Sequence, residues 1–516
     1  MFRRASTVIF SLLALGCVSG IPLRVRLPDG EFRGRTFERT DVLLGVPYAE
    51  PPLAEYRFAP PRRIAPAAVA RDATGSVPWC PQFIPTTGLL VPGTDEDCLY
   101  LNVWAPADRT VAHPVMLFFH GGAYVLGAGA QHEYDGRNLS EAARAVVVTI
   151  NYRLGALGFA AHPALAAEDA GWPTAGNYGL LDQIEAMRWV QRNIEALGGD
   201  PQNVTLFGES AGAASVCLHL LLAESRGLFH RAILESAPCT GFDLPTREAG
   251  EAQGQALAEA LGCVDEDPAA VRACLRATGS TEVSGALPLR SDIIVGAGVG
   301  WGPVVDRVFL TDQPRSLFLA HQSADVPIIV GANADEGELF VLTGGLDEEA
   351  ALREALLSLY APTVVEAVMA RYGLEPTTRD VASRILTDIL VCDARRIARL
   401  HTAAGHRAYQ YHFARGFYDA VLRMGAFHGA EIPYVFGNSL GRLPTFAISP
   451  ELRDSIQGYW GAMAANGDPN GGERVHWPVY EMDDDPALVL DTETEATRGI
   501  RTEACNFWDE QLYGTH

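Results

Sequence analysis

The sequence contains no lysine; all 40 of its basic residues are arginine. That excludes Schiff-base chemistry and the serine–lysine form of nucleophilic catalysis. Positive charge is scarce as a whole: 63 acidic residues give a net charge of −23 and a pI near 5.0. Such a surface argues against nucleic acid or an anionic membrane as partner. No Cys-x-x-Cys pair and no cysteine–histidine cluster has zinc-ligand spacing, so neither a metal nor a cofactor is expected. Internal repeats and low-complexity linkers are missing too. No apolar run reaches membrane-spanning length without charges. The run Val8 to Leu15, with Arg3 and Arg4 before it and Val18-Ser19-Gly20 after it, reads as an export signal of residues 1–20. Cys17, at the end of Ala14-Leu15-Gly16-Cys17, offers lipidation as a rival reading. Either way the mature chain, residues 21–516, is expected to be extracytoplasmic, secreted or periplasmic.

What is present is an ordinary globular composition, 516 residues with 48% hydrophobic and 20% charged, enough for a large core. Ile21, Leu23, Val25 and Leu27 alternate with polar residues, as in an antiparallel edge hairpin. Val115 to Phe119, Ala145 to Ile150, Val326 to Val330 and Ala408 to Phe413 are continuous apolar runs of buried-strand length. Between them, Leu181, Ile184, Met187, Val190 and Ile194 have helical spacing that stops at Gly198-Gly199. This alternation predicts an α/β protein with a large, mostly parallel central sheet, helices on both faces and N-terminal antiparallel edge strands. One large domain fits the pattern better than several.

The chemistry starts at Gly208-Glu209-Ser210-Ala211-Gly212. It follows the strand-like Val204-Thr205-Leu206-Phe207 and leads into the helix-compatible Ala213-Ala214-Ser215. A serine in such a strand–turn–helix context is a candidate nucleophile, because the strained turn lifts its hydroxyl beside a helix N-terminus. A serine needs a base, and the base needs an orienting acid. His428, in Gly425-Ala426-Phe427-His428-Gly429, stands out among thirteen histidines. For the acid, Glu336 and Asp335 compete in a loop just beyond a buried strand, the edge at which α/β sheets place their sites. His120-Gly121-Gly122-Ala123, after the Val115–Phe119 run, can turn backbone N–H groups toward the serine and join that of Ala211 in an oxyanion hole.

These motifs together resemble the type B carboxylesterases, the cholinesterase-like branch of the α/β-hydrolases. Glu96-Asp97-Cys98-Leu99-Tyr100-Leu101-Asn102-Val103 resembles one family signature. Gly198-Gly199-Asp200-Pro201 through Gly212 resembles another, with Leu197 where phenylalanine is usual. Gly45-Val46-Pro47-Tyr48-Ala49, Asn151-Tyr152-Arg153-Leu154-Gly155 and Gly302-Pro303-Val304-Val305-Asp306 match as well. The resemblance implies Ser210 as nucleophile, His428 as base and Glu336 as acid. It places Gly122, Ala123 and Ala211 in the oxyanion hole, with Gly121 shaping the loop. It also implies disulfides Cys80–Cys98, Cys263–Cys274 and Cys392–Cys505, leaving Cys217 and Cys239 unpaired.

The implied activity is hydrolysis of small to medium uncharged carboxylic esters through an acyl-enzyme. Cholinesterases carry a tryptophan about ten residues before the cysteine corresponding to Cys98. Here Thr86-Thr87-Gly88-Leu89-Leu90 has no aromatic residue, which argues against a choline cation–π site. Tyr124, Leu126, Leu339, Phe340 and Phe427 are expected to line an apolar pocket, and Glu209 to tune the serine electrostatically. Two alternatives remain at this stage. A non-catalytic adhesion protein on the same fold would commonly have lost a triad member. A lipase would need an interfacial lid, and the segment between Cys80 and Cys98 is only modestly hydrophobic.

Overall fold

The computed structural model describes residues 20–67, 69–166, 174–289, 300–343, 345–418, 423–440 and 448–514. Residues 1–19, most of the expected export signal and including Cys17, lie outside them.

The alternating N-terminal segment forms strand β1 (Ile21–Leu27), which pairs antiparallel with β2 (Gly30–Phe37) in the expected hairpin. β3 (Thr40–Pro47) and β4 (Tyr100–Pro106) continue antiparallel. The apolar runs then form β5 (His113–Phe119), β6 (Val146–Ile150), β7 (Gly199–Glu209), β8 (Arg231–Glu235), β9 (Ile328–Asn333) and β10 (Ala408–Phe413). β11 (Pro486–Leu490) and β12 (Glu495–Arg498) close the far edge. The sheet order is β1-β2-β3-β4-β6-β5-β7-β8-β9-β10-β11-β12, with the short strand Arg71–Asp72 beside β2. From β6 to β11 every neighbouring pair is parallel.

The uninterrupted apolar runs are explained by burial on both faces. In β5, Val115, Leu117 and Phe119 join one hydrophobic core while Met116 and Phe118 join another, the two-residue alternation of a pleated strand. The first core is covered by helices α1 (Tyr178–Asn193), α2 (Ala211–Leu221) and α3 (Thr378–Ala403). The second is covered by α4 (Pro450–Asn466), through Leu452, Ile456, Trp460 and Met463. The Val326–Val330 run begins its strand two residues late. Pro327 has no N–H to give a ladder, and pairing with β10 carries the strand on to Asn333. That extension brings Glu336 within three residues of the strand end.

The chain reverses its direction of travel across the sheet at β5: β6 lies on one side of it and β7 on the other. A crevice at the C-terminal ends of strands opens at such a switch point. His120–Ala123 leaves β5 there and Ser210 leaves β7, with Phe119 in register with Gly208.

Four disulfides are present among the described residues: Cys80–Cys98, Cys217–Cys239, Cys263–Cys274 and Cys392–Cys505. The second overturns the expectation that Cys217 and Cys239 are unpaired. Cys217 lies on α2 and Cys239 in the loop after β8; the parallel β7–β8 pair lays that loop against the helix, with Cα atoms 6.4 Å apart. No spacing in the sequence reveals that contact. Among the described residues no helix is long and apolar enough to cross a membrane.

Several resemblance motifs are struts. Arg57 pairs with Glu96 through two contacts, Nε–Oε1 at 2.6 Å and Nη2–Oε2 at 2.5 Å, and donates to the carbonyls of Leu275 and Arg276. The buried Arg153 is bidentate on Asp182 at 2.7 and 2.8 Å. Asp306 accepts the N–H groups of Val308, Phe309 and Leu310. Each satisfies buried polar groups that would otherwise oppose folding.

Candidate active site

Ser210 caps α2 in a conformation that side chains rarely adopt, φ 54° and ψ −122°, the strain of a nucleophile elbow. Its N–H donates to the carbonyl of Glu235 (2.9 Å) and its carbonyl accepts from Ala214 N–H (2.8 Å). The elbow admits only glycine behind the serine. A Cβ on Gly212 would lie 1.9 Å from the carbonyl oxygen of Phe119. The turn is therefore wedged between β5 and α2.

His428 sits in the loop that follows the antiparallel ribbon Phe417–Tyr418 and Arg423–Gly425. Its Nδ1 lies 2.6 Å from Glu336 Oε2. The other oxygen, Oε1, accepts from Ser236 Oγ (2.5 Å) and from Asn333 N–H (2.7 Å). With both oxygens engaged and no exposure, the carboxylate is held in one orientation, and it selects the imidazole tautomer with the proton on Nδ1. Asp335 does something else. Its Oδ2 accepts Ala426 N–H (2.8 Å) and its own N–H donates to Ala426 O (3.0 Å), clamping the histidine loop to β9. Phe340 packs on the imidazole, ring centroids 4.8 Å apart. Nε2 of His428 is buried, hydrogen-bonds nothing among the described residues, and lies 3.2 Å from Glu209 Oε1.

A second layer of acids surrounds this histidine. Glu209, Glu235 and Glu431 are all buried. Burial raises Glu209 to about 7, against the pull of His428 and with the push of Glu336. Burial raises Glu431 to about 8, helped by Glu209 and Glu336. Glu235 is raised well above the carboxylate range by burial, although Trp460 Nε1 donates to its Oε1 at 2.6 Å. His428 feels the reverse balance. Burial alone would lower it, but Glu209, Glu336 and the hydrogen bond to Glu336 raise it to about 9. Ser236, Asn333, Glu235 and Glu431 carried no signal in the sequence, since their roles depend on strands brought together by the sheet.

The loop after β5 lies against the elbow. A Cβ on Gly121 would stand 2.5 Å from Glu209 Oε2 and 3.1 Å from Ser210 Cβ. Gly122, Ala123 and Tyr124 follow with φ of 101°, 53° and 62°, so successive peptides turn over. Among the described residues, no backbone carbonyl accepts from the N–H groups of Gly122, Ala123 and Ala211. Behind the loop, His120 stacks on Tyr152 (4.4 Å, 18°), and Tyr152 Oη donates to His120 O (2.7 Å). Burial lowers His120 to about 4, so it supports the loop as a neutral ring.

A cavity of 480 Å³ opens beside Ser210 and includes Ala123, Tyr124, Ala211, Ala214, Leu218, Cys239, Phe242 and Trp301 on its walls. Of the expected pocket residues only Tyr124 lines it. Leu126 backs the turn, its carbonyl oxygen 2.4 Å from where a Gly122 Cβ would stand. Phe340 covers His428. Leu339 and Phe427 pack with the second core, and Glu209 faces the imidazole. Sequence alone does not show on which side of Ser210 a loop falls. A larger groove of 630 Å³, lined by Arg39, Asp108, His113, Glu141 and Arg144, includes none of these residues. It lies by the start of β5, away from the C-terminal strand ends that Ser210 and Glu336 follow.

Comparison with known proteins gives the family. The family described as "Carboxylesterase family" matches residues 22–508. A mouse (Mus musculus) protein named "Cholinesterase" is 35% identical over 503 residues, covering 90% of this chain and 82% of that protein.

Proposed function

Because the chain belongs to the carboxylesterase family and is a carboxylic ester hydrolase of the serine type, we propose that it works through an acyl-enzyme built on Ser210, His428 and Glu336. The observation that carries this reading is the 2.6 Å contact of His428 Nδ1 with Glu336 Oε2, while Nε2 makes no hydrogen bond among the described residues and lies 3.2 Å from Glu209 Oε1. Ser210 attacks the ester carbonyl as His428 takes its proton on Nε2, and Glu336 stabilises the imidazolium that forms. The N–H groups of Gly122, Ala123 and Ala211 receive the oxyanion, each worth roughly 3 kcal/mol in the transition state. The protonated histidine releases the alcohol, and water, activated by the same base, then frees the acid.

The substrates are small to medium uncharged esters. Support comes from the apolar walls of the cavity at Ser210, where Tyr124, Leu218, Phe242 and Trp301 meet, and from the lack of an aromatic residue in Thr86–Leu90. Four disulfides support an extracytoplasmic location, which agrees with the leader-like residues 1–20, and one mature domain from residue 21 to 516.

The test is Ser210→Ala. It should abolish p-nitrophenyl ester hydrolysis and organophosphate labelling while the protein melts at an unchanged temperature. Retained turnover would remove Ser210 from the nucleophile's role.

A further inference from the structure

The Cys217–Cys239 bridge joins two of the segments that wall the cavity beside the nucleophile. One wall is a stripe of α2: Ala211, Ala214 and Leu218 line the cavity, spanning about 10 Å along the helix at 1.5 Å per residue. Cys217, wholly buried, is the next residue to Leu218 and three from Ala214. The other wall is the loop after β8, where Pro238, Cys239 and Phe242 line the same space. This loop has no regular secondary structure, so its position depends on its anchors. Cys239 N–H donates to Asp393 Oδ2 of α3 (2.6 Å), and Thr240 N–H to the same carboxylate (2.9 Å). Four residues back, Ser236 Oγ holds Glu336. The disulfide is the only covalent tie, among the described residues, between this loop and the helix that carries the nucleophile.

We propose that the Cys217–Cys239 bridge sets the width of the acyl-chain site, and so determines which apolar acyl chains the esterase accepts. The proposal rests on reading the cavity as the acyl side of the Ser210 reaction. With the bridge, Cys239 and Pro238 are kept at a fixed distance from Ala214 and Leu218. Without it, the loop is held by hydrogen bonds, to Asp393, from Tyr513 Oη to the carbonyl of Thr240 and through Ser236 to Glu336, and yields to a longer chain. Cys217 and Cys239 are positioning residues here; neither contacts the reacting atoms.

The test is a series of p-nitrophenyl esters from acetate to decanoate, run on the wild type and on Cys217→Ala/Cys239→Ala. The ratio of kcat/KM for octanoate to that for acetate should rise by about tenfold, the scale on which pocket fit discriminates hydrocarbon substrates. Inactivation by a small dimethyl organophosphate, which needs the triad but little of the cavity, should change by less than about threefold on the same scale. A parallel change for all esters overturns the proposal. Ala214→Leu keeps the bridge and narrows the space against the fixed wall, so it should move the ratio the opposite way. An unchanged ratio in that variant overturns the proposal even if the double variant does not fold. A wild type that neither hydrolyses esters nor takes the organophosphate would instead refute the reading of the site itself.

Discussion

Asp335 and Glu336 are neighbours in the chain, yet their carboxylates serve different partners. Glu336 meets His428 Nδ1 at 2.6 Å, whereas Asp335 accepts the N–H of Ala426 at 2.8 Å. One orients the imidazole; the other holds the loop that carries it.

The two acids should therefore separate on mutation. Glu336→Gln is expected to lower kcat by about 10³–10⁴-fold, as when a triad acid loses its charge, with little change in melting temperature. Asp335→Asn should lower stability by about 1–3 kcal/mol, the range for hydrogen bonds to a charged group, and keep most of kcat. Steady-state kinetics beside thermal melts would decide; equal kinetic losses would contradict the division of roles.

Ser236 is expected to act through Glu336. Ser236→Ala removes a 2.5 Å hydrogen bond to a buried carboxylate. It should cost about 1.5–3 kcal/mol, or roughly 10–100-fold in kcat if the loss falls on the transition state. KM should move little. A change in KM alone would place Ser236 in substrate binding instead.

The pH profile depends on Glu209. Its charge is a main reason that His428 stands at about 9 despite burial, and protonated His428 cannot accept the serine's proton. Activity should therefore rise with pH through the imidazole's titration. Glu209→Gln removes the neighbouring anion, lowers the imidazole's pKa, and should move the acidic limb of kcat/KM down by about one pH unit or more. Stability follows the same sign. A histidine raised in the fold contributes fully below its unfolded value of 6.5 and loses that contribution as pH climbs toward 9. The mutant's melting temperature should fall less than the wild type's across that interval. An unmoved acidic limb would show that Glu209 and His428 titrate independently.

Reduction of the disulfides should loosen two regions. Cys392–Cys505 closes a loop, 113 residues apart in sequence, that contains His428, worth about 4–5 kcal/mol in the chain-entropy account. On that bridge alone, the histidine segment would loosen before the serine elbow. Cys217–Cys239, 22 residues apart, contributes about 3 kcal/mol by the same account and holds the elbow helix itself. Hydrogen exchange after reduction should show lost protection in both α2 and the 423–430 segment. Full retention in α2 would mean that packing, not the bridge, holds it.

The chain alone determined the strand runs, the elbow and the order of the candidate catalytic residues. Those are local matters, since a parallel strand buried on both faces must be apolar throughout, and a serine elbow needs glycine at Gly208 and Gly212 within five residues. Tertiary structure decided which of Asp335 and Glu336 reaches His428, that Cys217 bonds Cys239, and that the cavity lies on the Trp301 side of Ser210 rather than among Leu339, Phe340 and Phe427. Each depends on distances between segments far apart in sequence. Only the folded sheet, with β5 at its switch point and β7, β8 and β9 side by side, sets those distances.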